Sequence, residues 1–183
     1  MRVLGISGSL RRDSHNTQLL RAAATLLPPG AELEIFDSLK AIPPYDADDD
    51  GEIQPRGVRV LKQAIADADA VLIATPEYNG SLSGVLKNAL DWVSRPLATS
   101  PLRGKPVAVV GASTGLFGAV WAQAEARRVL GQIGARVMDD ELPVAAAHEA
   151  FDPECNLHDR EVEAALRDVL VELCGQARVG QPV

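Results

Sequence analysis

The chain has 183 residues, 46% of them hydrophobic, with 18 Lys plus Arg against 25 Asp plus Glu, a formal net charge of −7. At about 150 residues per domain this length predicts one domain over 1–183, with enough apolar content for a full core. The acidic balance excludes a general nucleic-acid binder, which needs excess cations to displace counterions from phosphates.

The first apolar run, Val3 to Ile6, is continuous rather than alternating, the pattern of a parallel strand buried on both faces. A helix follows, with Leu19, Leu20, Ala23, Leu26 and Leu27 on one face, stopped by Pro28-Pro29-Gly30. Leu33 to Phe36 predicts the second strand, and Asp37 to Gln54 a long polar connection. Val60, Leu61, Ala64 and Ile65 mark the second helix, and Val71 to Ala74 the third strand. Leu82, Val85, Leu86, Ala89 and Val93 mark the third helix, closed by Pro96. Val107 to Val110 is the fourth strand; Ala122, Ala126, Val129, Leu130 and Ile133 mark a helix with Gly134 as its C-cap. A weaker stretch around Arg136 to Met138 is the fifth strand, and the stripe Val162, Ala165, Leu166, Val169, Leu170 and Leu173 is the last helix.

Five βα units predict an α/β fold: a five-stranded parallel sheet with helices on both faces, in the flavodoxin-like order 2-1-3-4-5. Ligands in such folds bind beyond the carboxyl ends of the strands, which directs attention to the loops after strands one, three and four.

The first loop runs from Ser7 to Thr17 and opens a helix. It offers the hydroxyls of Ser9, Ser14 and Thr17, the amide of Asn16 and the cations Arg11 and Arg12. Together with the positive end of a helix, these favour an anion, most naturally a phosphate. The second loop, Thr75 to Ser81, holds Pro76, Glu77 and Tyr78, then Asn79-Gly80, a pair that permits positive φ. The third, Gly111 to Gly118, carries Ser113, Thr114 and Gly115 among three glycines that allow close approach to a ligand.

Two other patterns compete. Gly111 to Gly115 fits G-x-S-x-G, and Ser113, Asp139 or Asp140, and His148 follow the chain order of a hydrolase triad. Asp46 to Gly51 matches the first half of an EF-hand loop, but the twelfth position is Gly57 rather than Glu. His15, His148 and His158 have no metal-ligand spacing, so no metal is expected. Cys155 and Cys174 are too few for a disulfide framework and fit free thiols in a reducing, cytoplasmic setting. No signal peptide and no membrane span are expected. Trp92 and Trp121 fall on helices, as core residues or subunit contacts.

Three segments together resemble the NADPH-dependent FMN reductase family, the flavodoxin-like group that includes quinone and chromate reductases and some azoreductases. They are Gly8-Ser9-Leu10-Arg11 with Ser14 and Asn16-Thr17, then Pro76 to Asn79 running into Gly84 to Trp92, then Gly111 to Gly115. The resemblance implies bound FMN, with Ser9, Arg11, Asn16 and Thr17, beside Ser14, at the phosphate. It implies Pro76, Glu77, Tyr78, Asn79 and Gly80 along the ring and ribityl chain, and Ser113, Thr114 and Gly115 on the other side. It implies NADPH or NADH as co-substrate, a small-molecule electron acceptor such as a quinone, ping-pong turnover, no catalytic side chain, and a homodimer or dimer of dimers. A flavodoxin-type electron carrier is the alternative of a different class. The chain departs from the family's usual pattern at Ser83, where Pro is common, and at Leu116 or Phe117, where a second glycine is common. It also departs at Trp121, where some members carry a subunit-contact Arg.

Overall fold

A computed structural model describes residues 1–179; residues 180–183, the end of the expected domain, lie outside the described residues. The first half builds β1 (Arg2–Ser7), α1 (His15–Leu26), β2 (Glu32–Phe36), α2 (Arg56–Asp67) and β3 (Ala70–Thr75). A short hairpin, β4 (Glu77–Tyr78) and β5 (Ser81–Leu82), leads into α3 (Gly84–Val93). Then come β6 (Pro106–Ala112), α4 (Val120–Ile133), β7 (Arg136–Val137), β8 (Pro143–Val144) and α5 (Arg160–Val179). The parallel sheet has the order β2-β1-β3-β6-β7, the flavodoxin-like arrangement, and β8 also pairs with β6.

Alternation along the strands divides the core. Leu4, Ile6, Val71, Ile73, Val107 and Val109 pack toward α2, α3 and α4. Val3, Leu72, Ala74, Ala108 and Val110 pack toward α1 and α5. The central strands β1, β3 and β6 are covered on both faces, which is why their sequences are apolar almost without a gap, whereas the edge strand β2 alternates exposed glutamates with apolar residues.

Three expectations need correction. The fifth strand is two pieces: Arg136 and Val137 pair with Pro106 and Val107, whereas Pro143 and Val144 pair with Gly111 and Ala112. The acidic stretch Asp139-Asp140-Glu141 between them is exposed, so those three residues leave the ladder while Met138 and Leu142 stay buried. The third helix starts at Gly84, and Leu82 belongs to β5, paired with Glu77. Val60 is exposed; α2 buries Val58, Leu61 and Ile65 instead, a stripe at 3- and 4-residue spacing.

The connection at 37–54 is anchored rather than loose. Leu39 and Ile42 are buried. Asn88 Oδ1 accepts from the Tyr45 N–H at 2.8 Å and its Nδ2 donates to the Pro43 carbonyl at 2.8 Å. Trp92 is fully buried, donates Nε1–H to the same carbonyl at 2.9 Å, and meets Tyr45 edge-on at 4.9 Å. Trp92 is thus a core residue. Trp121 is half exposed, packed edge-on against Phe117 at 5.0 Å. The half EF-hand folds as a 3-10 turn over Ala47–Asp49, capped by the Asp46 carboxylate.

Candidate functional site

The strand ends β1, β3 and β6 are in register, Ser7 with Ala74 and Thr75 with Gly111, so their three loops emerge side by side. In the first, Ser14 is the N-cap of α1: its Oγ accepts from the Thr17 N–H at 3.3 Å. Among the described residues, the N–H groups of His15 and Asn16, the first turn of α1, have no acceptor in the chain. Arg11 reaches only the Asp13 carbonyl and has no carboxylate partner among the described residues. The loop therefore presents a guanidinium with no carboxylate partner, hydroxyls and unpaired N–H groups, a donor set suited to a phosphate.

Gly8 closes the loop against its neighbour. A Cβ there would lie 3.0 Å from Pro76 Cδ and 3.1 Å from Leu86 Cδ2. Ser83 completes this contact: its Oγ donates to the Gly8 carbonyl at 2.6 Å and accepts from the Leu86 N–H at 3.3 Å as the N-cap of α3. Ser83 thus ties the first loop to the start of α3, directly after the second loop.

In the second loop Asn79 and Gly80 take φ of 56° and 73°, as the Asn-Gly pair predicts, and form the two-residue turn between Tyr78 and Ser81. The Glu77 carboxylate turns toward α4 and accepts from the Ala122 N–H at 3.1 Å. Glu125 of α4 reaches back, accepting from Ser81 Oγ at 2.5 Å and the Leu82 N–H at 3.1 Å. The Ser81 hydroxyl first, then the Leu82 N–H, hold the Glu125 carboxyl below its ordinary range.

The third loop is joined to the first by Asn16. Its Oδ1 accepts from the Ala112 N–H and its Nδ2 donates to the Ala112 carbonyl, both at 3.0 Å and both buried. Ser113 Oγ accepts from the Gly115 N–H at 3.1 Å, while His148 pairs with Glu149 at 3.4 Å. Ser113 is not in the left-handed region, and α4 begins seven residues later, at Val120. The G-x-S-x-G spacing therefore folds as an open glycine-rich loop, not as the strained strand-to-helix elbow a hydrolase nucleophile requires.

Ser9, Arg11, Ser14, Asn16, Pro76, Glu77, Tyr78, Ser113 and Thr114 line one cleft of about 190 Å³. Thr17, Asn79, Gly80 and Gly115 are not among the residues that line it: Thr17 Oγ1 donates to Ser7 Oγ at 3.1 Å, and Asn79 and Gly80 sit exposed at the hairpin tip. Two lining residues were missed from sequence, Ala112 and His15. His15 follows the N-cap Ser14, and that position, facing the same loop, is the signal that would have found it. A larger groove, about 700 Å³, runs along the amino-terminal halves of β1 and β2 beside α2, away from the strand ends where ligands of this fold bind.

Comparison with known proteins gives the chain a family. An NAD(P)H-dependent FMN reductase of Pseudomonas aeruginosa is 41% identical over 174 residues, 94% of this chain and 93% of the relative. A quinone reductase of Escherichia coli is 41% identical over 140 residues, 76% of this chain and 74% of its own length. The flavoenzyme FerB, an NAD(P)H:(acceptor) oxidoreductase from Paracoccus denitrificans, superposes with a TM-score of 0.85 at 32% identity, covering 97% of both chains. The profile of NADPH-dependent FMN reductases matches residues 1–149, and the chain belongs to that family of oxidoreductases.

Proposed function

We propose that the cleft holds FMN and that the protein moves reducing equivalents from NADH or NADPH to small quinone-type acceptors, each substrate leaving before the next enters. The observation that carries this reading is the convergence of a phosphate-type donor set, Ser9, Arg11 and Ser14, with Pro76 to Tyr78 and Ser113-Thr114 around one strand-end cleft. When bound, FMN supplies the hydride chemistry; the chain binds and orients it.

In this reading Ser9, Arg11 and Ser14 take the phosphate directly, with the N–H groups of His15 and Asn16. The Asn16 side chain and Thr17 act from behind, since their polar groups already hold Ala112 and Ser7. Pro76 to Gly80 flank the ring and ribityl chain on one side, and Ser113 to Gly115 on the other. The fixed amides of these loops orient the ring, and no side chain needs to carry a proton or form a covalent bond.

We read the chain as one domain over 1–183 that works as a homodimer or dimer of dimers. A cleft of about 190 Å³ is smaller than a typical enclosed ligand site of roughly 300–1,000 Å³. Tyr78 on the hairpin, Leu116 and Phe117 in the third loop and Trp121 in the first turn of α4 stand exposed. A second copy laid over these groups would complete the enclosure. Cys155 and Cys174 are buried free thiols, and burial pushes the Cys174 thiol up, which suits a reducing cytoplasmic setting. Among the described residues no helix is long and apolar enough to cross a membrane.

The test is the visible spectrum after FMN addition and desalting, then anaerobic NADPH or NADH. Retained flavin bands that bleach support the reading, and parallel initial-rate lines for NAD(P)H against a quinone support ping-pong turnover. No retained flavin and no NAD(P)H oxidation with excess FMN overturn it; intersecting lines overturn the ping-pong order alone.

A further inference from the structure

The chain has four asparagines, and three of them commit their side-chain amides. Asn16 Nδ2 donates to the Ala112 carbonyl, Asn88 Nδ2 to the Pro43 carbonyl and Asn156 Nδ2 to the Asp152 carboxylate. Asn79 is the exception. Its side chain has no hydrogen-bond partner among the described residues, and it alone of the four precedes a glycine.

Asn79 and Gly80 are both exposed at the tip of the hairpin, with φ of 56° and 73°. The Gly80 N–H lies outside the two paired positions, Glu77 with Leu82 and Tyr78 with Ser81, and donates to no group among the described residues. A Cβ at Gly80 would meet nothing within 4 Å, so the turn stands in open space. A main-chain nitrogen with no side chain to shield it thus follows directly on an untethered carboxamide.

The turn itself supplies the barrier. Two successive left-handed residues hold the backbone in its hairpin shape, and the chain between nitrogen and carboxamide must rotate out of that shape before the two can meet. Such a rotation is a local opening. The flanking strands have two residues each, so little pairing resists it. Glu77 anchors one strand to the Ala122 N–H, and Glu125 anchors the other through Ser81 Oγ and the Leu82 N–H. On the Gly80 side of the turn, the Glu125 carboxylate is the contact that opening must break.

We infer that Asn79 is a site of spontaneous covalent modification, where the chain converts its own carboxamide to a carboxylate at a rate set by the Glu125 clasp. The Gly80 nitrogen bonds to Asn79 Cγ and gives its proton to solvent. The side-chain nitrogen takes a proton from solvent and leaves as ammonia, and a cyclic succinimide remains. Water then opens the ring. Cleavage between Cγ and the Gly80 nitrogen gives aspartate at this position. Cleavage at the main-chain carbonyl gives isoaspartate, whose backbone runs through Cγ and carries one more carbon. No electrons are transferred, and water is the only co-reactant. A two-residue turn has no slack for an added carbon, so the isoaspartate form loses the pairing of Tyr78 with Ser81.

The test is peptide mapping by mass spectrometry of the folded protein, held in mildly alkaline buffer and sampled over days, for wild type, Glu125→Ala and Asn79→Gln. In wild type the peptide carrying Asn79 converts to two products, each with the mass gain of an amide-to-acid exchange, and enzymatic methylation marks the isoaspartate. The peptides carrying Asn16, Asn88 and Asn156 stay intact. Conversion in Glu125→Ala is roughly tenfold faster, because the open hairpin is more populated. Asn79→Gln, whose longer side chain disfavours ring closure, gives no acidic product at this site. Asn79 that persists as long as Asn88 overturns the inference. Equal rates in wild type and Glu125→Ala overturn the control by the clasp. Parallel conversion at Asn16, Asn88 or Asn156 also overturns it, because the products would then come from unfolded chains.

Discussion

Glu77 and Glu125 exchange support across the boundary between the hairpin and α4: Glu77 Oε2 accepts from the Ala122 N–H, and Glu125 Oε2 accepts from Ser81 Oγ and the Leu82 N–H. With Ser83 on Gly8 and Asn16 on Ala112, the first strand-end loop is bonded to the other two, while the hairpin of the second is tied to α4. A cofactor site held in this way is set before its ligand arrives, which lowers the ordering cost of binding.

Replacing Glu125 with Ala removes the one carboxylate oxygen that accepts both hydrogen bonds from the hairpin. The expected cost is about 1–2 kcal/mol, felt locally as faster hydrogen exchange at the Leu82 amide. The folded carboxyl lies below its unfolded value, so the clamp's contribution is fully present above the unfolded Glu pKa of about 4.3 and is lost as pH falls through the lowered folded value. Exchange at Leu82 that is unchanged in Glu125→Ala would remove the clamp from the account.

Asn16 joins the first loop to the third through two buried hydrogen bonds 96 residues apart in sequence. Asn16→Ala leaves the Ala112 N–H and carbonyl unsatisfied and should cost about 2–4 kcal/mol in urea unfolding. Asn16→Asp keeps an acceptor for the N–H but sets a carboxylate against the carbonyl, so it should rescue little. Near-native stability in either variant would show that water replaces the amide.

The sheet was legible because its strands are buried on both faces: Val3 to Ile6, Val71 to Ala74 and Val107 to Val110 are unbroken apolar runs. The fifth strand was weak because β7 and β8 are two residues each, too short for a pattern, with an acidic stretch between. Leu82 was misread as helical for the same reason: a two-residue strand has no period, and only Asn79-Gly80 announced the hairpin. The loops that make the site were legible as Gly, Ser and Asn-Gly punctuation. Their cross-links were not, since Glu77 to Ala122, Ser83 to Gly8 and Asn16 to Ala112 are long-range pairs that no local pattern encodes. His15 was passed over because its partners are Gln18 and Phe151 rather than a metal set.

Gly118 sets how the third loop enters α4. Its φ is +55°, and a Cβ there would lie 2.6 Å from the carbonyl carbon of Pro143 in β8. Gly118→Ala therefore combines left-handed strain with a backbone clash that no side-chain rotation relieves, and should cost at least about 2–3 kcal/mol. The damage should appear first where the loop meets β8, as faster exchange at the Ser113 amide, which donates to the Val144 carbonyl at 3.0 Å. A fully stable Gly118→Ala protein would mean that β8 yields without loss.

Arg11 is exposed, lines the cleft, and has no carboxylate partner among the described residues, so its charge is available to a ligand. On the proposed reading, Arg11→Ala should weaken FMN binding roughly tenfold and leave riboflavin, which lacks the phosphate, unaffected. An exposed cation acts partly through a screened field, so wild-type FMN affinity should fall with added salt, and the variant's more shallowly. Arg11→Lys should fall between the two, because it keeps the charge but loses the bidentate fork. Fluorescence titration of both flavins at low and high salt separates these effects. Equal losses for FMN and riboflavin would move Arg11 from the phosphate to the ring, and no loss for either would take it out of the site.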